Sequence, residues 1–257
     1  MTAWAPGSLA PQPGASTWPR MLVAQTATEL RLTLRSGEQL LLTLVIPLGL
    51  LVVLTVVPFV QVEGPSRVGF FLPGVLALAI MSAAFTGQAI ATGFERQYGV
   101  LKRLGTTPLP RGVLLGAKTL GVLAVELLQV TLICLTGLLL GWQPQGSPLA
   151  VLLLVVVGTA AFSGLGLLLG GTLRGLTTLA VANLVWFVLL LLGGVLFPLS
   201  MFGGAERVLS LLPTAALSSG LRSVLLSSSG LPVEQLLVLL LWAALSLSAA
   251  SRFFRWE

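Results

Sequence analysis

The chain has 257 residues, 56% of them hydrophobic and 9% charged, with a net charge of +6 and a mean hydropathy of +1.01. A soluble domain is about 25% charged, so too few polar side chains remain here to cover a water-facing surface, and an ordinary soluble globule is excluded. The sequence holds no His and no Asp, which excludes His-based acid–base catalysis, His metal sites and every site built on an aspartate; one cysteine, Cys134, cannot form an internal disulfide.

Residues 1–19 are rich in Pro, Gly, Ser and Thr and carry no charged side chain. They predict a disordered tail. No basic stretch precedes an apolar run there, so they do not read as a signal peptide. Residues 20–38 predict a helix lying on the membrane surface. Val23, Ala27, Leu30 and Leu34 share one face and Arg31 and Arg35 lie to the other side, though Leu32 blurs the pattern. A cytoplasmic helix is the plainer alternative.

The remainder, residues 39–257, predicts a six-span, all-α membrane domain. The apolar runs are Gln39–Val60 (with Pro47 expected to bend it), Gly69–Gly93, Leu120–Leu140 in a helix starting near Pro110, Leu149–Leu173, Thr177–Pro198 and Val233–Ala250. Each reaches roughly 27–37 Å as a helix, enough to cross a hydrocarbon core. No run alternates as a membrane β-strand does. Lys and Arg set the orientation. Arg20, Arg31, Arg35, Arg96, Lys102, Arg103, Arg111, Lys118, Arg174, Arg252 and Arg255 fall on one side, and Arg67, Arg207 and Arg222 on the other. Six spans with both ends in the cytoplasm give this split. The basic excess is then explained by topology, and no nucleic-acid partner is needed. On the outer side, Gly203–Leu212 and Ala215–Leu226 predict two short helices separated by Pro213.

The loop after span two, Phe94 to Pro110, is the most informative. Glu95 is expected in the first turn of a short helix, where the dipole favours an acid. Tyr98, Leu101 and Leu104 are expected to form one apolar stripe, with Glu95, Lys102 and Arg103 facing elsewhere. Gly105 is a stop signal, and Pro108 and Pro110 prevent continuation. A short, rigidly ended helix between two spans suits the transmission of force from a soluble partner. A simple positive-inside anchor loop is the bland alternative.

Glu95-Arg96 followed by Gly99, Leu101, Leu104 and Thr107-Pro108 resembles the cytoplasmic coupling-helix signature of type-2 ABC transporter permeases, particularly bacterial antibiotic-export ones. Gly193-Gly194-Val195-Leu196-Phe197-Pro198 resembles the family's end of span five. Leu212-Pro213 with Arg222 resembles its outer re-entrant helices, so Pro198, Pro213 and Arg222 mark that region. Val100 departs from the family, where Thr is common. The resemblance covers residues 20–255. It implies an elbow helix at 20–38 and an ATPase-coupling set of Glu95, Arg96, Tyr98, Gly99, Leu101, Lys102, Arg103, Leu104 and Pro108. It further implies two separate ABC ATPase subunits, a second permease copy or a related permease, and residence in the cytoplasmic membrane of a bacterium. The chain itself would hold no cofactor and would not be an enzyme alone, with ATP and Mg on the partner ATPase.

The residues agree on that last point. Gly112 to Thr119 is a near miss to a phosphate-binding loop, with Ala117 where Gly is required. No strand precedes it, and no aspartate exists to complete a Mg²⁺ site.

Within the spans Glu126 stands out. Lys118, Val122, Glu126 and Gln129 share roughly one face of span three. An intramembrane carboxylate costs several kcal/mol unless neutralised or paired. Glu126, Gln129 and Asn183 are therefore candidates for a translocation path. The alternative is an interhelical hydrogen bond from Glu126 to Gln88 or Asn183. Span four is rich in small residues, which predicts close packing within the chain. Trp142, Trp186 and Trp242 are expected as lipid-facing or interfacial anchors.

The expected function is the permease of an ATP-driven exporter of a lipophilic small molecule, drug or lipid-like cargo. An ion-coupled transporter using Glu126 is the rival, along with the same machinery exporting a polysaccharide or haem.

Overall fold

The computed structural model describes residues 14–57, 66–195, 199–226 and 230–256. Most of the predicted tail, residues 1–13, lies outside them, as does Pro198. Among the described residues every regular element is helical. Helix α1 spans Trp18–Arg35, with Pro19 in its first turn, where a missing N–H costs nothing. The chain breaks at Ser36 and bends by 69° into α2, Gly37–Val56. Pro47 lies inside α2.

Helix α3, Arg67–Ile80, is capped by Ser66, whose hydroxyl accepts from the Gly69 N–H at 3.2 Å. It runs through a π-helical segment, Met81–Gly87, into α4, Gln88–Gln97. Together they make one 31-residue helix, longer at both ends than the apolar run 69–93. A short α5, Val100–Gly105, follows. Helix α6, Arg111–Leu139, starts directly after Pro110, as expected. Then come α7 (Pro148–Thr172), α8 (Gly175–Leu192), a 3₁₀ segment (Leu199–Ala205) and α9 (Glu206–Leu209). A 107° bend separates α9 from α10, Pro213–Leu226, which Pro213 opens. Helix α11 is Val233–Phe253.

Among the described residues five helices are long and apolar enough to cross a membrane, or up to seven if each bent pair counts as one span. That range brackets the six expected spans.

Helix α7 sits between α4, the π segment, α10 and α11. Its glycines make this possible. A methyl at Gly166 would lie 2.6 Å from the Phe85 carbonyl oxygen, and one at Gly170 would lie 2.6 Å from that of Ala89. Backbones approach where side chains are missing, so the small face of span four is consumed inside the chain. The Ser246 hydroxyl on α11 donates to the Ala161 carbonyl at 3.1 Å from the other side.

The tryptophans correct one expectation. Trp142 is buried in the core beside Gly137, not lipid-facing. Trp186 donates to the Ser82 hydroxyl at 2.9 Å, and Trp242 to the Leu211 carbonyl at 2.8 Å. Trp186 is thus held by the π-helical segment, Trp242 by the turn before α10, and Trp142 by packing in the core.

Four contacts gather one end of the bundle. Arg96 donates to the Gly171 and Leu173 carbonyls, each at 3.2 Å. The Arg255 N–H donates to Gly171 at 3.1 Å, and the Trp256 ring lies on Gly105. The turn between α4 and α6, the turn between α7 and α8, and residues 254–256 therefore share a face, and most of the basic side chains fall there. At the opposite end Arg67 donates to the Leu54 and Val57 carbonyls at 3.1 and 2.7 Å.

Candidate functional site

The basic end is built around the last turn of α4. Glu95 sits there, before the break at Gly99 and not in the first turn of a short helix, which corrects the expectation from sequence. Its neighbours explain why. Lys118 on α6 is 4% exposed, and its Nζ lies 2.8 Å from Glu95 and 3.1 Å from Glu29 on α1. Gln25 donates to the second oxygen of Glu29 at 2.8 Å. A buried ammonium needs such partners, since a lone buried charge costs several kcal/mol. One lysine thus ties α1, α4 and α6 together. Sequence reasoning read Lys118 as a topology charge, as part of the near-miss phosphate loop and as a neighbour of Glu126 on one helix face, and missed Glu29. The available signal was that Glu29 is the single acid in the otherwise basic α1.

Arg96 points the other way and satisfies the last carbonyls of α7, which have no partner inside their own helix. The α4 helix then stops. Tyr98 stacks on Phe94 with ring centroids 6.0 Å apart. Gly99 takes a left-handed φ of +73°, a conformation that disfavours any residue with a Cβ.

This reversal breaks the predicted apolar stripe. Tyr98 precedes the left-handed residue, so it lies outside the register of α5. It is 70% exposed, while Leu101 is fully buried against Leu114, Leu115, Leu167 and Phe254. Leu104 packs half-buried on the same cluster. Val100, Lys102, Arg103, Thr106, Thr107 and Pro108 face outward with Tyr98. The outward surface is a tyrosine rimmed by base and hydroxyl groups, and the leucines anchor it.

Gly112 to Thr119, the near-miss phosphate loop, lies wholly inside α6. Its lysine is Lys118, already held by two carboxylates.

The candidate path residues do not converge. Glu126 is fully buried, and its Oε2 meets the Thr159 hydroxyl of α7. Neither Gln88 nor Asn183 is its partner. Gln88 accepts from Ser163 at 2.9 Å, and Ser163 also bonds Thr119 at 2.8 Å. Gln129 is buried and donates to the Thr43 carbonyl of α2 at 2.6 Å. Asn183 is exposed on α8 and bonds its own helix at Leu179, 2.9 Å away. The first two join helices inside the bundle, and the third faces out.

At the opposite end Pro213 opens α10. Ser218 donates to the Gly193 carbonyl at 2.8 Å. Arg222 lies 3.4 Å from the Gly194 carbonyl, with its guanidinium 4.9 Å above the Phe70 ring. These contacts hold α10 against the end of α8 and the start of α3.

Comparison with known proteins bears on this arrangement. The family model described as ABC-2 type transporter matches residues 21–226. The chain is also 24% identical over 189 residues to YvfS of Bacillus subtilis (strain 168), a protein described as a transport permease, covering 69% of this chain and 74% of that one.

Proposed function

Because the chain belongs to the ABC-2 type transporter family, we propose that it is the six-span permease of an ATP-driven exporter, with α5 as the docking element for an ABC ATPase. Both termini face the cytoplasm in this reading, and the protein resides in the cytoplasmic membrane of a bacterium. The carrying observation is the two-sided build of α5. Val100, Lys102 and Arg103 are presented outward beside Tyr98, which ends α4, while Leu101 is sunk in a cluster reaching α6, α7 and Phe254. A push on the outer surface is passed inward through Leu101. It also passes through Glu95, Lys118 and Glu29 to α1 at the membrane surface.

Two ATPase subunits would bind ATP and Mg, and their closure would move α5. Two permeases, identical or related, would enclose the path. The outward face of α8 suits that role. It is apolar at Leu176, Leu184 and Phe187 and carries the single amide of Asn183, a group better placed against a partner helix than against lipid. So apolar a face fits a lipophilic cargo. The ion-coupled alternative loses support, because Glu126 is engaged in an interhelical bond with no described route to either side.

Co-purification tests the reading. Tagged wild-type chain should retain an ABC ATPase co-expressed with it from the same source. Tyr98→Asp, at an exposed position, should insert normally yet lose retention roughly tenfold, as for a central interface aromatic. Equal retention by both would refute docking at α5.

A further inference from the structure

The coupling element rests on a part of the chain that lies far from it in sequence. Residues 254–256 leave α11 and fold under α5 and the end of α7. Phe254 is 1% exposed and lies against Gly171, where the ring atom Cε2 would stand 3.0 Å from a Cβ. Trp256 meets Phe254 edge to face, with centroids 5.9 Å apart and planes at 86°. Its ring covers Gly105, the last residue of α5, and a Cβ there would lie 3.2–3.4 Å from three of its atoms. The Arg255 N–H donates to the Gly171 carbonyl at 3.1 Å, pinning the segment between the two rings.

Two glycines are therefore matched to two aromatic rings: Trp256 covers α5 at Gly105, and Phe254 lies on α7 at Gly171 and also shares the buried cluster of Leu101. Gly105 belongs to α5 and Gly171 to α7, while both rings hang from α11. Packed interiors transmit displacement because they are dense and contain few voids. A hydrophobic contact of this kind needs no charge and no conformational change of its own.

Resting on the coupling role of α5 proposed above, we infer that Phe254 and Trp256 are positioning residues that convey its movement to α11. Span six is thereby driven directly from the docking element, in addition to the covalent route through α4 and α6. Trp256 is the replaceable half of the device, because it is only partly buried, whereas Phe254 fills the core.

The test uses the assembled permease–ATPase complex in vesicles, in a Cys134→Ser background. One reporter is Thr106→Cys, exposed beside α5, and the other is Ser251→Cys, exposed on the last turn of α11. The readout is the rate of labelling by a membrane-impermeant maleimide, with and without a non-hydrolysable ATP analogue. With Trp256 present, both rates should change with nucleotide by roughly fivefold, the low end of coupling between sites. In Trp256→Ala the response at 106 should persist and the response at 251 should be largely lost, since only the Phe254 contact with Leu101 remains, and Trp256→Phe should restore it. Should Trp256→Ala fail to insert, Trp256→Leu takes its place with the same expectation. A response at 251 that is undiminished by loss of the ring overturns the inference, and so does loss of both responses together, since Trp256 would then only shape the docking surface. A chain with Trp256 intact that shows no response at 106 refutes the docking role of α5 instead.

Discussion

Lys118 and Glu126 lie about two turns apart on the same face of α6, both buried, and they are held in opposite ways. Lys118 stands between two carboxylates from two other helices. Glu126 meets one hydroxyl, on Thr159, and that hydroxyl is also 2.7 Å from the Val155 carbonyl of its own helix. The first site can be charged because its neighbours supply the opposite sign. The second has no cation among the groups that touch it. The difference teaches where each residue acts. Lys118 joins α1 to the last turn of α4, whereas Glu126 joins α6 to α7 in the interior.

Substitutions can break or sharpen this contrast. Lys118→Met should have the largest effect. It leaves Glu29 and Glu95 facing one another without a cation, and loss of one partner from a buried pair costs about 3–5 kcal/mol. Thermal unfolding in detergent should show it as a clear drop in midpoint. Glu95→Gln should cost less, about 1–3 kcal/mol, since Glu29 still pairs with Lys118. At the second site Glu126→Leu should cost under about 1.5 kcal/mol, in the range of a volume-conserving swap, because Thr159 keeps its bond to Val155. Glu126→Gln should be smallest of all, within about 0.5 kcal/mol, as the amide can still meet Thr159. A Glu126→Leu chain that unfolds like Lys118→Met would show that the two sites are not different in kind.

Much of the fold was legible because its signal is local. Apolar runs, Pro110, Pro213 and Gly105 each act on the residues beside them, and the long helices start and stop near the expected places, whereas the short helix expected over Gly203–Leu212 is a 3₁₀ segment broken at Gly203 followed by the four-residue α9. The glycines of span four announced close packing, though not which helices would approach. Other features were set by contacts across the chain. Lys118 reads as one more basic residue until α1 brings Glu29 and α4 brings Glu95 to it. The stripe Tyr98, Leu101, Leu104 assumed unbroken helical periodicity. The left-handed turn at Gly99 separates Tyr98 from α5, and Leu101 is drawn inward by partners on α6 and α7 and by Phe254. Leu101→Asp therefore disturbs the core as well as any docking, and Tyr98 is the cleaner probe. Residues 254–256 carried no pattern at all, since their meaning lies in Gly105 and Gly171.

Docking of an ABC ATPase on the outward side of α5 is the central claim, and site-specific photo-crosslinking tests it most directly. A benzophenone amino acid is placed at Tyr98, and in a separate chain at Leu139, which is 88% exposed at the opposite end. Illumination of the co-expressed complex should join the ATPase to the chain carrying the probe at 98 and leave the chain carrying it at 139 uncrosslinked. Equal crosslinking from both positions, or none from 98 in a complex that co-purifies, would contradict the account.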